Sequence, residues 1–188
     1  MASLINASSS VTTGIIQTAD SSGILQLQGN GVTGITVNSS AGNALVAIAG
    51  SSSNEALKLT NAAEPVNIIA SAPSSTQNFY VASGAVQYFT TSAANNWTLN
   101  ISFSSGTTMN TAMAVGDSIT VTVLTKQGST PYYNSAVQVD GTTSGVTVYW
   151  QGGSAPSAGN ASGIDVYTYA IIKTASATYT VLASQTQF

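Results

Sequence analysis

The feature that most constrains the fold is a series of short segments rich in Val, Ile, Thr, Tyr and Leu, separated by clusters of Gly, Ser and Asn. Segments of about four to eight residues with this composition are typical of β-strands, and the clusters are typical of turns. In residues 23–28, leucine alternates with glutamine, so apolar side chains fall on one face of a strand. Helical periodicity is almost absent. The sequence therefore predicts an all-β protein.

Predicted strands run through the whole chain. Residues 23–28 and 32–37 flank Gly29, Asn30 and Gly31, a connection that favours a β-hairpin. Further strands are predicted over residues 44–48, 57–59, 66–69, 77–82, 86–90, 96–103, 118–125, 136–139, 146–150, 165–173 and 178–183.

One segment has helical spacing. In residues 107–115, Met109 and Met113 share a face at positions i and i+4. We interpret this segment as a short capping helix or turn.

A change of pattern between Asn61 and Pro73 predicts a domain boundary. Pro65 and Pro73 bracket a single apolar strand, and a Ser-rich stretch follows. All aromatic residues lie beyond Pro73, so the two parts must have different cores. We expect a small β-rich module for attachment and oligomerisation over residues 1–73, followed by an antiparallel β-sandwich of the jelly-roll type over residues 74–188.

Charged residues make up only 5% of the 188 residues, whereas about 25% is usual in a globular domain. The chain has three lysines, no arginine and a net charge of −3. Without a basic cluster it lacks the main attraction to nucleic acid and to anionic membranes, so we expect neither as a partner. Neither a signal peptide nor a transmembrane segment is predicted, and we expect synthesis in a cytoplasm.

The residue types also restrict the chemistry. The absence of His and Cys excludes a Ser–His–Asp triad, a Cys–His pair and a His- or Cys-ligated metal. The six acidic residues are Asp20, Glu55, Glu64, Asp117, Asp140 and Asp165. Two carboxylates would suffice for glycoside hydrolysis. However, Glu64 precedes a proline and Asp140 a glycine, which indicates turn or boundary positions, while Asp117 leads into a strand and Asp165 starts one. We therefore predict no catalytic residue, no cofactor and no metal.

Two aromatic pairs are the candidate contact residues. Tyr132 and Tyr133 lie near a turn, and Tyr149 and Trp150 end a strand. Tyrosine and tryptophan join an apolar ring face to a polar edge, so these residues suit either a stacking surface for host glycans or packing in the core and between subunits.

The scarcity of charge bears on assembly. Exposed strand edges normally carry charges or prolines that prevent unwanted pairing, and this chain has few to place there. An N-terminal part without aromatics also buries little surface alone. We therefore predict a closed cyclic homo-oligomer, with a trimer favoured.

Several blocks of the sequence resemble exterior structural proteins of tailed-bacteriophage virions. Residues 18–28 (TADSSGILQLQ) and 34–38 (GITVN) resemble a segment that recurs in such proteins. Later blocks are similar to virion structural proteins of marine and cyanobacterial phages: 96–100 (NWTLN), 116–123 (GDSITVTV), 131–134 (PYYN), 149–153 (YWQGG) and 164–169 (IDVYTY). The two regions together span most of the chain.

The resemblance implies a component of the virion exterior that is made in the host cytoplasm. It is compatible with a capsid decoration or cement protein, a head fibre or a tail fibre, bound to major capsid or tail proteins. The chain is short for a tail fibre and lacks a long shaft repeat, which favours capsid decoration. The alternative is a short tail fibre or receptor-binding protein whose tyrosines and tryptophans contact host surface glycans.

Overall fold

The structure is a computed structural model that describes the strand backbone of residues 24–29, 32–40 and 43–47, and residues 63–188 in full. The chain divides into two compact units, Met1–Ala62 and Ala63–Phe188. The C-terminal unit thus begins before Pro73, and it includes the strand over residues 66–69 that the sequence analysis assigned to the N-terminal module.

The described part of the N-terminal unit is a three-stranded antiparallel sheet, in the order β1 (Ile24–Gly29), β2 (Val32–Ser40) and β3 (Asn43–Ala47). Ile24 pairs with Asn38 and Gly29 with Val32, as the predicted hairpin requires. The predicted strand over residues 57–59 lies outside the described residues.

The C-terminal unit contains every strand predicted beyond residue 65, with ends that shift by a few residues. The strands are β4 (Val66–Ile69), β5 (Thr76–Tyr80), β6 (Val86–Phe89), β7 (Trp97–Ser102), β8 (Ser118–Lys126), β9 (Asn134–Val139), β10 (Val146–Trp150), β11 (Ile164–Ala175) and β12 (Thr178–Gln187). Short 3₁₀ turns, Val81–Ser83 and Gln151–Gly153, follow β5 and β10.

These strands form two sheets. One has six strands in the order β10-β12-β11-β8-β6-β4, and the other has three in the order β5-β7-β9. From β4 to β10 the chain changes sheet with every successive strand. Among β4 to β9, strands that are neighbours in one sheet are therefore separated in sequence by a strand of the other sheet.

The strand directions correct the prediction of an antiparallel sandwich. In the C-terminal unit the pairs β4–β6, β6–β8, β5–β7, β7–β9 and β10–β12 are parallel, and among its strands only β11 pairs antiparallel, with β8 and with β12. Among β4 to β9, a strand of the other sheet carries the chain back between two neighbours, and β11 of the same sheet does so between β10 and β12, so these neighbours run in the same direction. The six-stranded sheet is mixed and the three-stranded sheet is wholly parallel.

Side chains of the two sheets pack together in one hydrophobic cluster. Trp97 on β7 meets Tyr167 on β11 edge to face, with ring centroids 5.5 Å apart, and Tyr167 stacks beside Tyr169. Strict alternation of buried and half-buried residues along β7 supplies one side of this cluster. The period-two pattern of the sequence is therefore the pattern of the core.

A buried amide joins the two sheets. Asn134 on β9 is 1% exposed. Its Nδ2 donates to the carbonyls of Trp97 (3.1 Å) and Ala136 (2.8 Å), and its Oδ1 accepts from the Tyr169 hydroxyl on β11 at 3.1 Å. The core is thus held by polar as well as apolar contacts.

The predicted helix over residues 107–115 is shorter in the structure, where α1 spans Met109–Ala112. The Thr108 side chain caps its first turn by accepting from the Thr111 N–H. Met109 and Met113 are both buried, as their shared face predicts. The chain leaves the helix at Met113, whose backbone is extended, so only one turn forms.

Candidate functional site

Three of the four acids in the C-terminal unit, Asp117, Asp140 and Asp165, each hold a turn or loop. Asp117 Oδ2 accepts from the Ala114 N–H at 2.7 Å and closes the turn before β8. The Asp140 carboxylate accepts from the N–H groups of Met109 (2.8 Å) and Asn110 (3.0 Å). These N–H groups lie in the first turn of α1, where the helix itself offers them no acceptor. Both carboxylates therefore serve the backbone, as N-caps do.

Asp165 is fully buried, and it anchors the segment before β11. Its carboxylate accepts from Gln127 Nε2 at 2.8 Å and from the Asn160 N–H at 3.1 Å. Gln127 is fixed in turn by two bonds with the backbone of Tyr132, one donated and one accepted. Burial raises the pKa of Asp165, while hydrogen bonds from Asn160, Gln127 and Gln185 act in the opposite direction.

Among the lysines that the structure describes, the buried one is also engaged by the backbone. Lys173 Nζ donates to the carbonyls of Asn110 (2.6 Å) and Met113 (2.8 Å), so it ties β11 to α1 and the residue that follows it. Within residues 63–188 we find no group of three or more acidic residues placed to hold a metal ion.

Three core tyrosines have raised pKa values. Burial is the main cause for Tyr167 and Tyr169. Burial and the nearby Asp140 carboxylate raise the pKa of Tyr179 to about 12. The Tyr169 hydroxyl donates to Asn134 Oδ1 and the Tyr179 hydroxyl to Asp140 Oδ2, whereas the Tyr167 hydroxyl accepts from the Asn134 N–H and from Gln185 Nε2.

The structure places the four predicted contact residues on different surfaces. Tyr149 and Trp150 are consecutive on β10, so they point to opposite faces of the sheet. Trp150 packs against the core, with its ring 6.0 Å from that of Tyr169, whereas Tyr149 is 60% exposed. Tyr132 also packs against the core, and Tyr133 is half-buried. Only Tyr149 presents most of its ring to solvent.

The outer face of the three-stranded sheet is polar. Its central row consists of Asn78, Asn100 and Gln138, which lie opposite one another on β5, β7 and β9. Asn100 Nδ2 donates to Asn78 Oδ1 at 2.8 Å, and the Gly141 N–H donates to Asn100 Oδ1 at 2.7 Å. Water on this face therefore meets amide and hydroxyl groups rather than charged groups.

The other exposed sheet face has a different character, and we call it the outer face of the six-stranded sheet: the side chains of β4, β6, β8, β10, β11 and β12 that point away from the core. A row of Ile68, Tyr88, Leu124 and Val166 crosses it, one residue from each of β4, β6, β8 and β11. Towards the opposite edge, Tyr149 lies beside Leu182 and lines an open groove of about 330 Å³.

Sequence reasoning did not find this face. The alternation within each strand gives the two sets of side chains, but the row exists only because β4, β6, β8 and β11 are neighbours in a particular register. Strand order and register are not visible in the pattern of a single segment.

The chain matches no protein-family model, no curated protein and no solved structure. Among the helices of the described residues, none has the length and apolar character needed to cross a membrane.

Proposed function

We propose that this chain is a non-enzymatic structural protein of the exterior of a tailed-bacteriophage virion, and that it acts as an oligomeric capsid decoration protein of the cement or head-fibre kind. The observation that carries this proposal is the outer face of the six-stranded sheet, where apolar side chains stand exposed with almost no charge among them. A protein that works alone in solution rarely exposes such a face. The resemblance of the sequence blocks to exterior virion proteins supports the proposed location on the virion exterior.

The acidic residues support a role without catalysis. A hydrolase of the two-carboxylate type needs both groups free to face a substrate. Asp140 and Asp117 accept from backbone N–H groups, and Asp165 is enclosed by Gln127 and the Asn160 N–H. Their hydrogen bonds account for them as structural residues.

For the architecture, we propose a two-layer β-sandwich in the C-terminal unit, with the strands of both sheets around the shared core. Its parallel pairs distinguish it from a jelly roll of antiparallel strands. The N-terminal sheet serves attachment and oligomerisation in this proposal, and a trimer is the favoured assembly.

The test is the presence and position of the chain in purified virions. We expect mass spectrometry to find it in particles freed of host protein, and a cryo-EM reconstruction to place many copies on the capsid shell, in contact with the major capsid protein. Particles that lack the chain would refute the proposal.

A second function, a short tail fibre or receptor-binding protein, is favoured by Tyr149, whose exposed ring borders the groove next to Leu182. In that case the reconstruction would show a few copies at the tail. Oligosaccharides from the host surface would then bind the protein, and Tyr149→Ala would weaken this binding, whereas millimolar sugar without a heat signal in calorimetry would exclude glycan recognition.

A further inference from the structure

The outer face of the six-stranded sheet exposes large apolar side chains at both edges. On β4, Ile68 is 60% exposed and Val66 is 44% exposed. On β12 and β10, Leu182 is 49% exposed and Tyr149 is 60% exposed. Single exposed apolar residues are common on protein surfaces, but a contiguous apolar patch marks an interaction site.

The register extends the apolar residues of the β4 edge across the sheet as far as β11. Ile68 lies opposite Tyr88, Tyr88 opposite Leu124, and Leu124 opposite Val166. Cross-strand partners on one face stand about 5 Å apart, so these four residues are neighbours in a row across four strands.

The face is large enough for a stable contact. Its strands contain between four and twelve residues. With a rise of ~3.3 Å per residue and a spacing of ~4.8 Å between strands, the sheet offers at most roughly 700 Å² per copy. Two such faces together reach about 1,400 Å², within the range of specific protein–protein interfaces.

The charge pattern identifies the occupant. Of the strand residues on this face, only Lys126, at the end of β8, is charged. A partner with a charged surface would lose its hydration against this face and find no opposite charge, which is costly. A second copy of this chain brings apolar and hydroxyl side chains and a single charge, Lys126, at the end of one strand.

We propose that the outer face of the six-stranded sheet is the surface on which a second copy of this chain packs. The inference deepens the proposed assembly function and rests on it, because it names the partner of the exposed face. In a dimer the two faces stack, and in the favoured trimer they surround the axis. The amide-rich face of the three-stranded sheet then points outward, where its polar rows remain solvated.

The experiment measures the mass of the full chain by light scattering across a dilution series, together with matched lysine substitutions. Ile68→Lys and Tyr149→Lys place a charge on opposite edge strands of the face. Thr76→Lys places the same charge on an exposed position of β5 in the three-stranded sheet. Circular dichroism of each variant reports whether it folds, and both face substitutions alter side chains that are 60% exposed on edge strands.

We expect the wild-type chain to be an oligomer, and either face variant to raise its dissociation constant at least tenfold while Thr76→Lys changes it less than twofold. A wild-type chain that stays monomeric, or an oligomer whose mass withstands both face variants, overturns the inference. These results are separate from the virion test, because a protein that self-associates through this face but is missing from particles would contradict only the proposed function.

Discussion

Replacing Asn134 with alanine removes the side chain that joins the two sheets through polar contacts. In the wild-type core, its Nδ2 donates to the carbonyls of Trp97 and Ala136, and its Oδ1 accepts from the Tyr169 hydroxyl. Tyr169 is fully buried, so its hydroxyl would have no water to replace this bond. The change therefore removes hydrogen bonds and also leaves a buried polar group unsatisfied.

The magnitude follows from these contacts. A buried donor left without a partner costs about 1–3 kcal/mol, and each ordinary hydrogen bond contributes about 0.5–1.5 kcal/mol. The Trp97 carbonyl keeps a second donor, the Ser135 hydroxyl at 3.1 Å. Of the three hydrogen bonds of Asn134, the one to this carbonyl therefore costs the least free energy when it is removed. We expect Asn134→Ala to lower the free energy of unfolding by about 3–5 kcal/mol.

A double-mutant cycle in urea isolates the cause. Asn134→Ala leaves the Tyr169 hydroxyl without a partner, and Tyr169→Phe removes that hydroxyl. The double variant should therefore lose less free energy of unfolding than the sum of the two single losses, by at least about 1 kcal/mol. Leu99 gives the control, because its side chain lies in the same core and has no polar atom. The loss of stability in Leu99→Ala should add to that in Tyr169→Phe with little coupling of this kind. Additive losses for Asn134 and Tyr169 would refute the reasoning.

Three further predictions concern turns and pH. Asp140→Ala should destabilise the protein by about 1–2 kcal/mol in urea, because the α1 donors lose their acceptor and alanine tolerates the positive φ of 52° poorly, whereas Asp140→Asn should lose less. Gly145→Ala should lower the melting temperature, because φ is 74° and a Cβ would collide with the Ala177 carbonyl; an unchanged value would contradict this. Burial raises the pKa of Asp165, so its contribution to stability is present below the unfolded pKa of about 4 and is lost as pH rises through the folded pKa. Wild-type stability relative to Asp165→Asn should therefore fall from pH 3.5 to 7, and a difference independent of pH would count against it.

The strands of the C-terminal unit could be predicted because alternation is a local property. The predicted segment 118–125 is β8, Ser118–Lys126, and 165–173 lies within β11, Ile164–Ala175. Both have one buried face, so the apolar residues recur at every second position. The partners of these strands could not be predicted, because alternation says which way a side chain points and not which strand lies beside it.

The candidate site shows the same division. Since Tyr149 and Trp150 are neighbours on a strand, the pleat alone sends them to opposite faces, and the sequence contains that information. That Trp150 meets Tyr169, and that Tyr149 lies beside Leu182, depends on the parallel pairing of β10 with β12. Pairings of this kind join residues distant in sequence, and only the folded chain brings them together.

The position of β12 between β10 and β11 bears on how the protein is made. Of the six strands of its sheet, β12 leaves the ribosome last, and it supplies the only strand that β10 pairs with in that sheet. Chain synthesis adds about 5–20 residues per second, so β10 waits without a partner until Thr178–Gln187 emerges. Pairing of β10 in this sheet must therefore follow the synthesis of β12, and a nascent chain arrested before β12 would expose unpaired strand edges to other newly made chains.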